Sequence, residues 1–199
     1  MVTTEPDPTP IVRAVATRVR VALRDRGGRQ ALQRLPGPDP IALRSASDAQ
    51  HVTLTRTSRG LHVDALGSGT PAATLDIDPF SLTVLSANSD ALAVEAVSAL
   101  LDPDPPTLAT AAEDFWALSS LMPGMPGLVL NALDTGEVVR VGPQEEPYEL
   151  HGSDMDLRRL AAGLDWLLPS IRAGRFAIKG THRQLSVVIG ASMKAVYDV

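Results

Sequence analysis

Proline and glycine set the limits of every regular element in this chain. Pro36-Gly-Pro-Asp-Pro40, Gly67-Ser-Gly-Thr-Pro71, Asp102-Pro103 and Pro123-Gly-Met-Pro-Gly127 each interrupt helix or strand, because proline lacks an N–H donor and glycine lets the backbone reverse. Between these breaks the apolar residues recur at a period of either 3.6 or 2. Short helices must therefore alternate with short strands, and the fold class expected is α/β in the α+β sense: a mainly antiparallel, curved sheet packed with helices.

Composition decides what fills such a fold. The 199 residues are 44% hydrophobic but only 4% aromatic, so the core leans on Leu, Val and Ala. With no cysteine there is no disulfide, no thiolate metal site and no sulfur nucleophile, and a cytoplasmic setting is the default. The opening Met1-Val-Thr-Thr-Glu-Pro-Asp-Pro8 shows neither the basic nor the apolar region of a signal peptide, and no run approaches a membrane span. The net charge of −5 is unevenly spread: residues 11–60 carry +7, residues 61–170 carry −14 and residues 171–199 carry +4. Either the basic ends fold against the acidic middle, or an arginine face meets an anionic partner. Nucleic acid is not expected as that partner, since the acidic middle repels phosphate.

Thr9-Pro10 reads as a helix start, and Val12, Val15, Val19, Ala22 and Leu23 follow at helical spacing until Gly27-Gly28. Arg13, Arg20 and Arg24 occupy the other side, so residues 10–26 suit a packed helix with a solvated arginine face or a peripheral contact with an anionic membrane. A short helix over residues 29–35 leads into the Pro36–Pro40 linker. His51 to Thr57, Leu61 to Leu66 and Ala72 to Ile77 read as a meander of strands, with Ser58-Arg59-Gly60 as a tight turn. Helices are expected to begin near Phe80, at a cap on Asn88 or Ser89, and at Thr107 or Thr110, the last with the apolar stripe Leu108, Ala111, Phe115, Leu118, Leu121 and Met122. Strands resume at Leu128–Leu133 and Glu137–Val141 around Asp134-Thr-Gly136, and again at Tyr148–His151. Ser153 then caps a helix bearing Leu157, Leu160, Ala161, Leu164 and Leu168. Arg175 to Ile178 gives one more strand, and a final helix carries Leu185, Val188, Ile189, Met193 and Val196. The domain division expected is residues 1–40 as tail, arginine helix and linker, and 41–199 as one domain with a helical insertion over 80–127.

An internal echo is also present. Thr53-Leu-Thr-Arg-Thr-Ser-Arg-Gly60-Leu-His-Val63 lies over Val129-Leu-Asn-Ala-Leu-Asp-Thr-Gly136-Glu-Val-Val139 at a constant offset, which suggests two β-β-β-α units.

Tyr148 to Leu157, Leu160-Ala-Ala-Gly163, Leu168-Pro169, Ile171-Arg-Ala-Gly174-Arg-Phe-Ala-Ile-Lys-Gly180 and the closing helix resemble the C-terminal part of a sterol carrier protein 2-like domain. The resemblance rests on Asp156-Leu157, Gly163, Pro169, Gly174, Phe176, Ile178 and Gly180 and covers residues 128–199. It implies an α/β domain around an apolar tunnel for sterols, fatty acyl chains or other lipids, with no catalytic residue shared across the family and no cofactor. Fold alone does not settle function, because such domains also serve as accessory modules.

The candidate ligand-binding residues are Phe115, Trp116, Leu121, Met122, Met125, Trp166, Phe176 and Met193, which could line an apolar pocket or simply fill a core. No catalytic constellation, Walker loop or dinucleotide fingerprint is legible. His51, His62, His151 and His182 are scattered, although His51 and His62 could face each other across a hairpin; no metal site is expected. Glu145-Glu146 and the pair Asp154, Asp156 read as loop and helix-start acids rather than a general acid/base pair. Two functions remain open: non-enzymatic binding of an apolar ligand in an internal cavity, or an interaction protein with a filled core acting as homodimer or accessory subunit.

Overall fold

A half-buried strand hides every second side chain. Ile41–Ser45 (β2), His51–Thr57 (β3), Gly60–Asp64 (β4) and Ala73–Ile77 (β5) do so, leaving Ile41, Leu43, Val52, Leu54, Leu61, Val63, Leu75 and Ile77 at most 1% exposed. The computed structural model describes residues 1–67, 69–88 and 91–197. The fold is α+β, with ten strands in two open sheets and seven helices among the described residues. Contacts divide the chain into two units, one ending at Asp104 and the other beginning at Pro105. That division falls inside the segment 80–127 expected as an insertion, and it places residues 1–40 within the first unit rather than apart from it.

The first unit holds a six-stranded sheet of order β1-β4-β3-β2-β5-β6, completed by Val2–Thr4 (β1) and Val84–Asn88 (β6). β1 runs parallel to β4 and β2 parallel to β5; the other neighbours are antiparallel. Three helices accompany it: Pro10–Ala22 (α1), Arg26–Arg34 (α2) and Ala91–Leu101 (α3). α1 contacts β1, β3, β4, α2 and α3. Ten of its thirteen residues are buried, Arg18 among them, whose Nη1 donates to the Leu101 carbonyl at 2.7 Å. Of the residues expected on the arginine face, Arg13 and Arg20 are half-buried and Arg24 is exposed.

Two local readings also change. Gly27-Gly28 does not end the helical stretch but lies in the first turn of α2, where the Asp25 carboxylate accepts from the Gly28 N–H at 2.7 Å. A Cβ on Gly28 would come 2.0 Å from the Ala22 carbonyl oxygen, so only glycine allows so tight a turn from α1. The helix expected from Phe80 is a turn leading into β6. Asp78 accepts from the N–H groups of Phe80 and Ser81, and Leu82 adopts a φ of 55° with its side chain buried. The side-chain turn outcompetes helix formation at this point. The alternative cap at Ser89 lies outside the described residues.

The second unit comprises Leu108–Ser119 (α4), Leu128–Ala132 (β7), Val138–Val141 (β8), Tyr148–Gly152 (β9), Asp154–Ala161 (α5), Leu167–Arg172 (α6), Ala177–Lys179 (β10) and His182–Tyr197 (α7). Thr107 and Ser153 cap α4 and α5 with side-chain oxygens that accept from the N–H groups of Thr110 and Asp156. The sheet order is β10-β9-β7-β8, with β7 parallel to β9. Leu128, Leu130, Ala132, Tyr148 and Leu150 form one cluster with Phe115, Leu157, Leu160 and Val188 of the helices.

The two sheets contain the same four-strand core. β3-β2-β5-β6 and β8-β7-β9-β10 share order, direction and register. Ile41 stands opposite Leu54 and Ala73, as Leu128 stands opposite Val141 and Tyr148; Leu43 stands opposite Val52 and Leu75, as Leu130 stands opposite Val139 and Leu150. Leu75 pairs with Ala87 as Leu150 pairs with Ile178. Residues 41–54 thus correspond one to one with 128–141, including the turn between the strands. The echo read from the sequence matched Gly60 to Gly136, which sets β3 and β4 against β7 and β8, one strand out of place. The first unit adds β4 and β1 beyond β3, and the second inserts α5 and α6 before β10.

Candidate functional site

The expected pocket residues all belong to the second unit, where the structure divides them among interior, wall and surface. Phe115 and Phe176 are core residues. Trp116, Met122 and Met125 are partly buried against that core. The Trp116 ring lies over Gly142, whose φ is 75°; a Cβ there would meet the ring at 2.3 Å. Trp166 meets Tyr197 edge to face, with ring centroids 5.2 Å apart. Leu121 is 94% exposed and Met193 44% exposed. Of the eight, Phe115 lines the interior bounded by Leu128, Leu150 and Leu157.

The interior bounded by Phe115, Leu128, Leu150, Leu157, Leu167 and Val188 has room for only about 10 Å³ of water-sized solvent. A single water needs roughly that much, whereas small-molecule pockets run to about 300–1,000 Å³.

An apolar surface stands outside instead. The turn after α4 carries Leu121, Met122 and Met125, and it lies against α7: the Met122 Cε is 3.4 Å from where a Gly190 Cβ would sit, and Val187 Cγ2 is 3.9 Å from the corresponding position on Gly124. Lys194 Nζ donates to the Leu118 carbonyl at 2.9 Å and fixes the end of α4 to the same helix. Met193 follows Gly190 by three residues and so shares its side of α7.

Polar groups concentrate on the sheet faces opposite the cores. His62 Nε2 lies 3.3 Å from Asp64, with Thr3 Oγ1 3.0 Å from Nδ1. His151 lies 3.3 Å from Glu149 and 3.2 Å from Asn131 Nδ2. Lys179, 2.6 Å away, is the main cause that holds the Glu149 carboxyl below its ordinary range, with His151 contributing less. His51 stands opposite Arg44 and His62 opposite Thr55, so the hairpin does not bring these two histidines together. No cluster of three or more His, Cys, Asp or Glu suited to a metal ion occurs among the described residues. Asp154 and Asp156 serve the start of α5, Asp154 pairing with Arg158 at 3.2 Å and Asp156 accepting from the Ser153 hydroxyl at 2.6 Å. The sequence reading missed one ionic cluster: Asp165 takes two hydrogen bonds from Arg159 and lies 3.0 Å from Arg175, which ties the α5–α6 link to the start of β10. Its members are scattered in sequence, so no spacing signalled it. Among the described residues no helix is long and apolar enough to cross a membrane.

No protein-family model matches this chain, and no curated protein does. Among solved structures it is similar to one described as "UbiJ-SCP2 Ubiquinone synthesis protein", at 10% identity over 94% of this chain and 96% of that one, with a TM-score of 0.29. The description names the same sterol carrier protein 2-like group that residues 128–199 resemble.

Proposed function

We propose that this chain is a non-enzymatic interaction protein, an adaptor or accessory subunit, and that its second unit meets a protein partner through Leu121, Met122, Met125 and Met193. The observation that supports this reading is Leu121, left 94% exposed on the turn that also carries the half-buried Met122 and Met125, with Met193 44% exposed on α7. Burying such a leucine in an interface gains about 1.5–3 kcal/mol, and methionine walls adapt to the shape of what they contact. The test is site-specific photocrosslinking in the native host, with the crosslinker at residue 121 or 193 and controls at 134 and 172. One discrete adduct from 121 and 193 and none from the controls is expected; equal labelling from all four positions rejects the reading.

A second reading keeps the apolar ligand. The same interior is lined by aliphatic and aromatic side chains apart from Ser192, whose Oγ accepts from the Leu167 N–H at 3.1 Å. Tryptophan fluorescence of lipid-stripped protein, titrated with a fatty acid and with a sterol, separates the two: no saturable shift is expected for the adaptor, and a saturable shift abolished by Trp116→Phe favours the ligand.

A further inference from the structure

We infer that the outer edge of β8 is a docking edge for an extended segment of a partner protein, which adds there as an antiparallel strand carrying an acidic residue. The argument comes from the shared four-strand core. β8 corresponds to β3: Val139 and Val141 take the core-facing places of Val52 and Leu54, while Val138 and Arg140 take the places of His51 and Thr53. In the first unit β3 has β4 on its far side, pairing Leu54 with Val63 and Thr53 with Asp64. In the second unit no described strand lies beyond β8, which is an edge of its sheet. The same scaffold is thus one strand short on the side where its counterpart is extended.

Unpaired edges are templates for strand addition, and proteins that do not use them blunt them. The edges β1 and β10 are each three residues long. β6 pairs with β5 through a register shift, Asp76 lying opposite Ser86 and Ile77 opposite Val84. β8 pairs regularly with β7 along all four of its residues, and its Val138 is 40% exposed.

The chemistry of the occupant follows from β4. An aliphatic residue belongs opposite Val141, as Val63 lies opposite Leu54, and a carboxylate belongs opposite Arg140, in the place Asp64 holds opposite Thr53. A second copy of β8 suits the edge poorly. Antiparallel self-pairing that keeps core-facing residues on one face centres on residue 139 or 140, and either choice crowds two Arg140 side chains onto one face of the seam, within about 8 Å of each other. Trp116, over Gly142 at the end of β8, is a built-in reporter of anything that adds there. This inference is independent of the Leu121 surface, and either can fail without the other.

The experiment is residue-level amide hydrogen exchange by NMR on the full chain, with a synthetic peptide of residues 59–66, the strand that fills this place in the first unit. Slowed exchange confined to β8 amides, with a saturable change in Trp116 fluorescence, is expected. A peptide with Lys in place of its Asp64 should bind several-fold more weakly, and Arg140→Glu should reverse that preference. Unchanged β8 exchange at millimolar peptide overturns the proposal, as does protection of β8 in the peptide-free chain accompanied by a dimer in native mass spectrometry.

Discussion

Tyr148 places a phenol in an otherwise aliphatic core. The residue is fully buried, its ring fits because Gly180 has no side chain, and its hydroxyl oxygen has no hydrogen-bond partner among the described residues. A buried polar group left unpaired costs about 1–3 kcal/mol, so removing the hydroxyl while keeping the ring should help. Tyr148→Phe is expected to raise the unfolding midpoint in urea, and a fall of the midpoint would mean that the hydroxyl has a partner in solution. Burial also pushes the Tyr148 phenol above its ordinary pKa. The native state then keeps a proton that the unfolded chain releases near pH 10, so stability falls as pH rises through about that value. In Tyr148→Phe this alkaline loss should shrink to the part left by Tyr197, whose phenol is raised by burial as well. An identical alkaline slope in both proteins would place the whole effect on Tyr197.

Elements with strong periodicity were legible from sequence, and those decided by a single side chain or by long-range contact were not. The stripe of α4 and the alternation of β3 to β5 follow from apolar spacing, whereas β2 was not read as a strand, and the Ser153 cap follows from its place ahead of Leu157 and Leu160. β6 escaped notice because the Asp78 turn sets it, and a helical reading of Phe80 to Leu85 is equally good on spacing alone. α1 was legible as a helix but not in its surroundings: Arg18 reads as a flank residue until Leu101 supplies the carbonyl that accepts from it. The candidate site was legible only as a composition, since spacing does not reveal that Phe115 points inward and Leu121, six residues later, outward. α1 therefore carries a prediction of its own. Deleting residues 1–35 removes a helix with ten buried residues together with β1, and the first unit should lose its circular-dichroism signal and aggregate. The full chain should not co-sediment with anionic vesicles. Binding to vesicles that vanishes on deletion, with the spectrum otherwise intact, would restore the surface-helix reading.

A repeated four-strand core within one chain implies two folding units, each with its own sheet and helices, and this can be tested directly on the second. Its core cluster is drawn wholly from residues 108–195, and its entry is fastened internally: Arg158 Nε donates to the Pro106 carbonyl at 2.7 Å, and the same guanidinium reaches Pro105 and Asp154. At about 95 residues such a unit buries enough surface to fold alone. A fragment of residues 105–199 is expected to give one cooperative urea transition. Both tryptophans, Trp116 and Trp166, lie within it, so fluorescence follows this unit whether or not the first is present. The fluorescence midpoints of fragment and full chain should then agree. Arg158→Leu should lower both by a similar amount, because charge-assisted bonds to the entering backbone carry about 1.5–3 kcal/mol. A fragment that shows no near-ultraviolet dichroism and unfolds without a transition would mean that the second sheet needs the first in order to form. The correspondence of 41–54 with 128–141 would then describe a shared local pattern and not a shared folding unit.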